Sequence, residues 1–158
     1  MAKAIAYCTC EKCGEEFVKE NRLMSRAAAD SWTEWAEANV KLCPKCWSKA
    51  KREKDLERYD ELKDELRLPE ITGKSEKQIA FANDLRVRCV ARNTERLREV
   101  RREIDGVSAE EVAKVMAEKK TDEDGALRKI FDRRMRYAHY VVLTSSSARE
   151  LINLLYQG

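Results

Sequence analysis

The sequence predicts a mostly α-helical protein whose N-terminal part is a small zinc-binding module. Three observations lead to this fold class. Two Cys-x-x-Cys pairs stand in the first third of the chain. Charged residues make up 39% of the chain, and its five glycines and two prolines are fewer than strand-rich folds need for their turns. After residue 22, apolar residues recur at three- and four-residue steps, as on one face of a helix.

The two cysteine pairs predict a tetrahedral metal site with sulfur ligands. The first pair is Cys10 and Cys13, followed by Gly14, and the second is Cys43 and Cys46, with Pro44 between them. Glycine accepts the positive φ of a tight knuckle, and proline suits the first position of a turn or helix. Four thiolates at this spacing form the ligand set of structural Zn²⁺. We therefore expect one structural zinc ion, although Cys8 adds a fifth thiol close by.

The zinc module is expected to span residues 1–67 in a zinc-ribbon or treble-clef-like arrangement. Residues 4–18 predict a small hairpin around the first knuckle, with Ile5, Tyr7 and Phe17 turned towards the metal. A helix over 22–38 is inserted between the two knuckles, and the second knuckle opens into a helix over about 45–66.

A helical domain is expected over residues 74–158. Pro69 and Gly73 interrupt the apolar periodicity and mark a boundary. Ser75 and Gln78 form a capping box that opens a helix predicted to run to about Asp105. Shorter helices are predicted over about 108–120, from Thr121 into Leu143, and after the serines at 145–147.

Several of these segments resemble a family of small zinc-ribbon proteins from phages and other mobile elements of Gram-positive bacteria. The resemblance is carried by Cys10-x-x-Cys13-Gly14-x-x-Phe17, by Ala29-Asp30-Ser31-Trp32-x-x-Trp35-Ala36, by Leu42-Cys43-Pro44-x-Cys46 and by Ser75-Glu-Lys-Gln-Ile-Ala-Phe-Ala82. It covers roughly residues 8–90 and is looser beyond them. It implies a mobile-element source and a zinc ion rather than an activity.

The charge of the chain argues against a dedicated duplex-binding protein. The formal net charge is +3, and a zinc ion held by four thiolates would lower it further, whereas duplex binders carry a strong basic excess. No stretch has the composition of a secretion signal or of a membrane-spanning helix. The cysteines have metal-type spacing, so we expect a reducing cytoplasm, that of a bacterial host cell.

Two sets of like charges are candidate interaction surfaces. The acidic stripe follows one side of the second helix and consists of Glu57, Asp60, Glu61, Asp64 and Glu65. The arginine ridge, Arg88, Arg92 and Arg96, is spaced by four residues, and a second basic set could extend it: Arg133, Arg134 and Arg136. Because like charges at this spacing repel each other, the stripe and the ridge either pair with each other or meet an external partner.

The remaining candidates favour structural roles. The three tryptophans are expected to pack around the zinc module, although exposed tryptophans could also stack on bases. They are Trp32, Trp35 and Trp47. Cys89 is interpreted as a small buried hydrophobe and His139 as a structural residue. No nucleophile motif or glycine-rich phosphate loop is present, and four thiolates leave zinc no open position for water.

The sequence thus predicts a non-enzymatic effector that binds a host protein or nucleoprotein complex. An inhibitor of a host nucleic-acid-targeting machine such as a CRISPR-type nuclease fits the resemblance and the acidic stripe. The alternative is a zinc-ribbon accessory protein that binds nucleic acid directly through its arginines. The sequence does not indicate an oligomeric state.

Overall fold

The computed structural model describes residues 1–156. It confirms the mostly helical fold class: a two-stranded antiparallel sheet and a cysteine cluster stand near the N-terminus, and eight helices follow in the described part of the chain. The strands are β1 Ala2–Thr9 and β2 Glu16–Leu23. The helices are α1 Arg26–Asn39, α2 Pro44–Leu62, α3 Glu76–Arg92, α4 Thr94–Asp105, α5 Ala109–Lys119, α6 Glu123–Arg133, α7 Tyr137–Thr144 and α8 Ala148–Leu155.

The chain forms two compact units, Met1–Lys54 and Asp55–Gly158. The division therefore lies within α2, whereas the sequence marks residues 68–73. Leu62, at the end of α2, and Leu66 are buried in the core of the second unit, which is why residues 55–67 pack there.

The first unit is the hairpin with α1 packed on one face of it. In the register of the strands, Cys8 lies opposite Phe17 and Tyr7 lies opposite Val18. Ser25 caps α1, its hydroxyl oxygen accepting a hydrogen bond from the amide of Ala28. The helix begins later than the sequence predicts because β2 continues to Leu23.

The buried face of β1 is the opposite of the one expected. Ala4, Ala6 and Cys8 are buried, whereas the side chain of Tyr7 is 71% exposed. Alternate residues of a strand point to opposite faces, so the small residues, rather than Tyr7, allow α1 to approach the sheet closely. The core that results is small, and it consists of Ala6, Cys8 and Ala36 with Phe17, Trp32 and Val40 against them.

The second unit is a helical bundle with one continuous core. Its largest buried apolar side chains include Phe131 and Tyr140, whose stacked rings lie 4.9 Å apart between centroids. Helix α3 packs against α8, and α4 packs against α7. The serine caps predicted at Ser75 and at the 145–147 serines are confirmed. The hydroxyl oxygen of Ser75 accepts a hydrogen bond from the amide of Gln78, and that of Ser147 accepts one from the amide of Glu150.

The long helix predicted from Ser75 to Asp105 is wrong in one respect, because it breaks at Asn93. The Asn93 side chain donates to the carbonyl oxygen of Cys89, and the Thr94 hydroxyl donates to that of Val90. Asparagine and threonine compete in this way for helical backbone groups. The break lets α3 and α4 pack on different partner helices.

The helix predicted from Thr121 into Leu143 is likewise divided in two. Helix α6 ends at Arg133, and Met135 has a positive φ of 56°. The amide of Arg136 then donates to the carbonyl oxygen of Phe131 at 2.7 Å, which closes the turn before α7.

Candidate metal centre and charged surfaces

Four cysteines converge in the first unit and could bind a metal ion. The sulfur atoms of Cys10, Cys13, Cys43 and Cys46 all lie within 4.8 Å of one another. The Cys13 and Cys43 sulfurs are 3.7 Å apart, close to the about 3.8 Å edge of a tetrahedron with metal–sulfur bonds of about 2.3 Å. Cys10 and Cys43 are buried, Cys46 is half-buried and Cys13 is exposed.

The local backbone explains how each pair reaches the centre. In the first knuckle, Gly14 has a φ of +73°, and its amide donates to the carbonyl oxygen of Cys10 at 2.8 Å. In the second, Pro44 begins α2, and the amide of Cys46 donates to the Cys43 sulfur at 3.5 Å. Both thiols of each pair therefore point inward from a tight turn, as the sequence predicts.

A backbone hydrogen bond joins the two knuckles. The amide of Glu11 donates to the carbonyl oxygen of Lys41 at 2.9 Å. The first knuckle is thereby fixed against the chain that leads into the second. Hydrogen bonds within the chain, as well as any bound metal, therefore bring the four thiols together.

The thiols of the cluster differ in acidity. Amide hydrogen bonds, first from Cys43 and then from Cys13 and Lys12, lower the pKa of Cys10 to about 6 against the opposing effect of burial. Hydrogen bonding with Cys13, together with burial, raises the pKa of Cys46 to about 12. The Cys10 thiolate thus forms easily, whereas the Cys46 thiol holds its proton until a cation compensates the negative charge of the cluster.

Cys8 does not belong to the cluster of four. Its thiol is buried between the sheet and α1, where it donates to the carbonyl oxygen of Ala36 at 3.7 Å. Cys89, in the second unit, packs against the helical core, and burial raises the pKa of its thiol. Both cysteines act as small hydrophobic residues.

The acidic stripe lies on the second unit and is mostly solvent-exposed. Asp60 and Glu61 have only local ion pairs, with Lys63 at 3.0 Å and Arg58 at 3.4 Å. Glu65 forms an ion pair with Arg98, which contacts both carboxylate oxygens at 2.6 and 2.9 Å. This contact holds the pKa of Glu65 below its usual value.

Two members of the acidic stripe lack such partners. Over residues 1–156 of the structure, Glu57 and Asp64 have no cationic group within ion-pair distance. The stripe therefore keeps uncompensated negative charge at these two positions.

The arginine ridge is largely neutralised within the second unit. Arg88 pairs with Asp84, and Arg96 contacts Glu99 at 2.7 Å. The break at Asn93 also separates Arg96 from the other two, so a continuous ridge is not formed. Neither the ridge nor the stripe is the other's ion-pair partner in the part of the chain that the structure describes.

The second basic set is also paired with carboxylates. Arg133 lies 4.0 Å from Glu118, Arg134 contacts Glu111 at 2.9 Å, and Arg136 lies 3.6 Å from Glu103. His139 is half-buried nearby, and burial together with Arg96 and Arg136 lowers its pKa.

Not all three tryptophans pack against the core of the first unit. Trp32 packs against the small core, but Trp35 and Trp47 are each 56% exposed. Sequence reasoning also missed a basic segment next to the second knuckle, which we define as residues 45–54 of α2. Its signal was available: Lys45, Lys49, Lys51, Arg52 and Lys54 are accompanied by a single acidic residue, Glu53.

No family model matches the chain, and no curated protein and no solved structure is detectably similar to it. Within the described residues, no helix is both long and apolar enough to cross a membrane.

Proposed function

We propose that this protein is a non-catalytic effector that binds a host protein through the acidic stripe, with a structural zinc ion in its first unit. The observation that carries the proposal is the unequal pairing of its charges. The arginine sets are neutralised almost throughout by carboxylates of their own unit, whereas Glu57 and Asp64 remain exposed and uncompensated.

Zinc is the metal that the donor set favours. Four sulfur ligands in a tetrahedral arrangement select Zn²⁺ among the metals commonly available to proteins, apart from iron in iron–sulfur clusters. A zinc ion with four thiolates has no free position for a water molecule, so its role would be structural. Reduced thiols are maintained in a cytoplasm, where we place the protein.

The partner surface that fits the stripe is a basic groove. Glu57, Asp60 and Glu61 lie on the side of α2 away from the buried Leu62, which packs into the core. A protein that normally holds nucleic acid presents such a groove, and the stripe would occupy it in place of phosphates. Together with the resemblance to mobile-element proteins, this favours a host nuclease of the CRISPR type as the target.

Direct nucleic-acid binding through the arginines is the second candidate. Arg92 favours it, because it is exposed and forms no ion pair over residues 1–156. The other arginines would first have to leave their carboxylates, which weakens this candidate.

Charge reversal of the stripe tests the proposal. The triple variant Glu57→Lys, Glu61→Lys, Asp64→Lys should lose the inhibition of DNA cleavage that the unmodified protein exerts on a purified RNA-guided nuclease, and should no longer bind it in biolayer interferometry. A matched control reverses three exposed acids that form no ion pair over residues 1–156, Glu16, Glu34 and Glu70, and should keep both properties.

Other outcomes would contradict the proposal. If the triple variant binds as well as the unmodified protein, the stripe is not the contact surface. Turnover of a nucleotide or peptide by the purified protein would contradict its non-catalytic character. Circular dichroism of both triple variants establishes that they are folded.

A further inference from the structure

We propose that the basic segment of α2 binds single-stranded nucleic acid, with Trp47 stacking on a base and the lysines contacting phosphates. This surface belongs to the first unit and is independent of the acidic stripe. Its failure would leave the protein-binding proposal untouched.

The first observation is the segregation of charge along α2 and the turn after it. Residues 45–54 hold five basic residues and one acidic residue, whereas residues 55–65 hold two basic and six acidic residues. Helices are stabilised by acidic residues in the first turn and basic residues in the last. Helices α3 to α6 follow that rule, but α2 has no acidic residue in its first turn and no basic residue in its last. Helix stability therefore does not account for its charges.

The second observation is the state of Trp47. Its side chain is 56% exposed, although an indole normally gains stability by burial. The Lys51 ammonium lies 5.0 Å from the ring centroid, in cation–π geometry. An exposed ring with a cation beside it offers a stacking surface for a base and a positive charge for the adjoining phosphate.

The third observation is that the lysines are available. Lys45, Lys49 and Lys54 are exposed and have no carboxylate within ion-pair distance in the region the structure covers. At about 100° per residue, Lys54 lies on the same side of α2 as Trp47 and Lys51, whereas Lys45 and Lys49 lie on the opposite side. From Trp47 to Lys54 that side is about 10 Å long at about 1.5 Å per residue, which matches about three phosphates at a spacing of about 3.4 Å per strand.

Neutralising the negative charge of the zinc–thiolate centre explains only part of the positive charge on the basic segment. Zinc with four thiolates carries a net charge of about −2, and Lys45 stands beside the ligand Cys46. Lys49, Lys51 and Lys54 lie one to two turns further along the helix. The first unit as a whole has 11 basic and 8 acidic residues, whereas residues 55–158 have 21 of each, so the basic excess of the chain is confined to the first unit.

A single strand fits better than a duplex or an acidic protein. Stacking on Trp47 requires a base whose face is free, and paired bases in a duplex offer none along the helix. An acidic protein surface would use the lysines but not the exposed indole.

The experiment uses the full zinc-loaded chain and a fluorescein-labelled dT20 oligonucleotide. We expect binding by fluorescence polarisation that weakens steeply as salt rises. In a Trp32→Phe, Trp35→Phe background, Trp47 is the sole tryptophan, and its emission should be quenched by unlabelled dT20. Trp47→Ala should weaken binding about tenfold, and the double variant Lys51→Glu, Lys54→Glu, on the side of α2 that carries Trp47, should abolish it.

The controls separate this surface from general electrostatics. Lys114→Glu with Lys119→Glu, two exposed lysines of the second unit without ion pairs over residues 1–156, should leave binding unchanged. Zinc content establishes that each variant retains its first unit, and Lys→Gln changes replace any reversal that loses zinc. Unchanged binding by the double variant, an equal effect of the control pair, or absent quenching of Trp47 would overturn the proposal. Competition by polyglutamate as effective as that by dT20 would assign the surface to an acidic protein instead.

Discussion

The guanidinium of Arg86 is completely buried and donates from Nη1 to the carbonyl oxygen of Pro69 at 2.8 Å. Its Nε and Nη2 atoms have no hydrogen-bond partner among residues 1–156. Burial lowers the pKa of Arg86, with Tyr59 acting weakly in the opposite sense. This bond holds the segment between α2 and α3 against the helical core.

Replacing Arg86 should reveal the cost of a buried cation without a carboxylate. Arg86→Met keeps most of the volume and removes two unsatisfied donors, so its free energy of unfolding should stay within about 1 kcal/mol of the original or exceed it. Arg86→Ala leaves a cavity and should cost about 2–4 kcal/mol. Urea denaturation followed by circular dichroism measures both, with the exposed Arg92→Met as control. A loss with Met as large as that with Ala would mean that the bond to Pro69 dominates.

Metal removal should unfold the first unit and leave the second intact. The core of the first unit contains few apolar side chains, too few to stand alone without the metal. All three tryptophans lie in residues 1–54, so their fluorescence reports on that unit alone. A chelator should shift the tryptophan emission, while hydrogen exchange in α3 to α8 stays slow. Loss of protection throughout the chain would show that the two units fold as one.

Single cysteine substitutions should separate the four ligands from Cys8. Cys10→Ser, Cys43→Ser and Cys46→Ser should each lower the zinc content well below one ion per chain. Cys8→Ala should keep the full content, because its sulfur contacts the Ala36 carbonyl rather than the cluster. Metal analysis by mass spectrometry gives the answer, and loss of zinc from Cys8→Ala alone would reverse the assignment.

Zinc affinity should fall as the pH is lowered. The pKa of Cys46 is raised to about 12 in the metal-free cluster, so its proton is still bound at neutral pH and must leave when the metal binds. Protons therefore compete with zinc more strongly at pH 6 than at pH 8. Competition with a chromophoric chelator at both values, corrected for the chelator's own protonation, measures the difference. An affinity independent of pH would mean that fewer than four thiolates bind the ion.

The second unit should lose stability in acid, because protonation of Glu150 removes its ion pair with Arg128. Arg128, and to a smaller extent the Ser145 hydroxyl at 2.5 Å, hold the pKa of Glu150 below its usual value. The stabilisation is complete above the unfolded pKa of about 4.3 and is lost as the pH falls through the lower folded value. Glu150→Gln should cost about 1.5 kcal/mol at pH 7 and little at pH 3. Glu70→Gln, an exposed carboxylate outside any ion pair in residues 1–156, is the control for denaturation at both pH values.

Local chemistry made much of this fold predictable. The knuckle glycine, the proline that begins α2 and the serine caps each act within a few residues, so their signals stand in the sequence itself. The breaks at Asn93 and Met135 were not predictable in the same way, because apolar periodicity continues across both. They depend on which helices α4 and α7 pack against, which is a long-range property of the core.

The candidate surfaces were harder to predict than the metal centre. Spacing alone identifies the four thiols, but whether an arginine is free depends on carboxylates brought near by the fold, as Glu111 is to Arg134. The orientation of Tyr7 was missed because small alanines, rather than the larger residues of β1, line the face that α1 covers.

The hydrogen bond between Glu11 and Lys41 has a consequence for the order of events during synthesis. The two ligand pairs are about 30 residues apart along the chain, so the first pair leaves the ribosome seconds before the second. Once α1 has docked on the hairpin, the bond from Glu11 to Lys41 shortens the search that remains to a few residues between Lys41 and Cys43. A metal ion captured early by Cys10 and Cys13 would then be enclosed by a nearly finished scaffold, and assembly would not need to wait for the helical unit that follows.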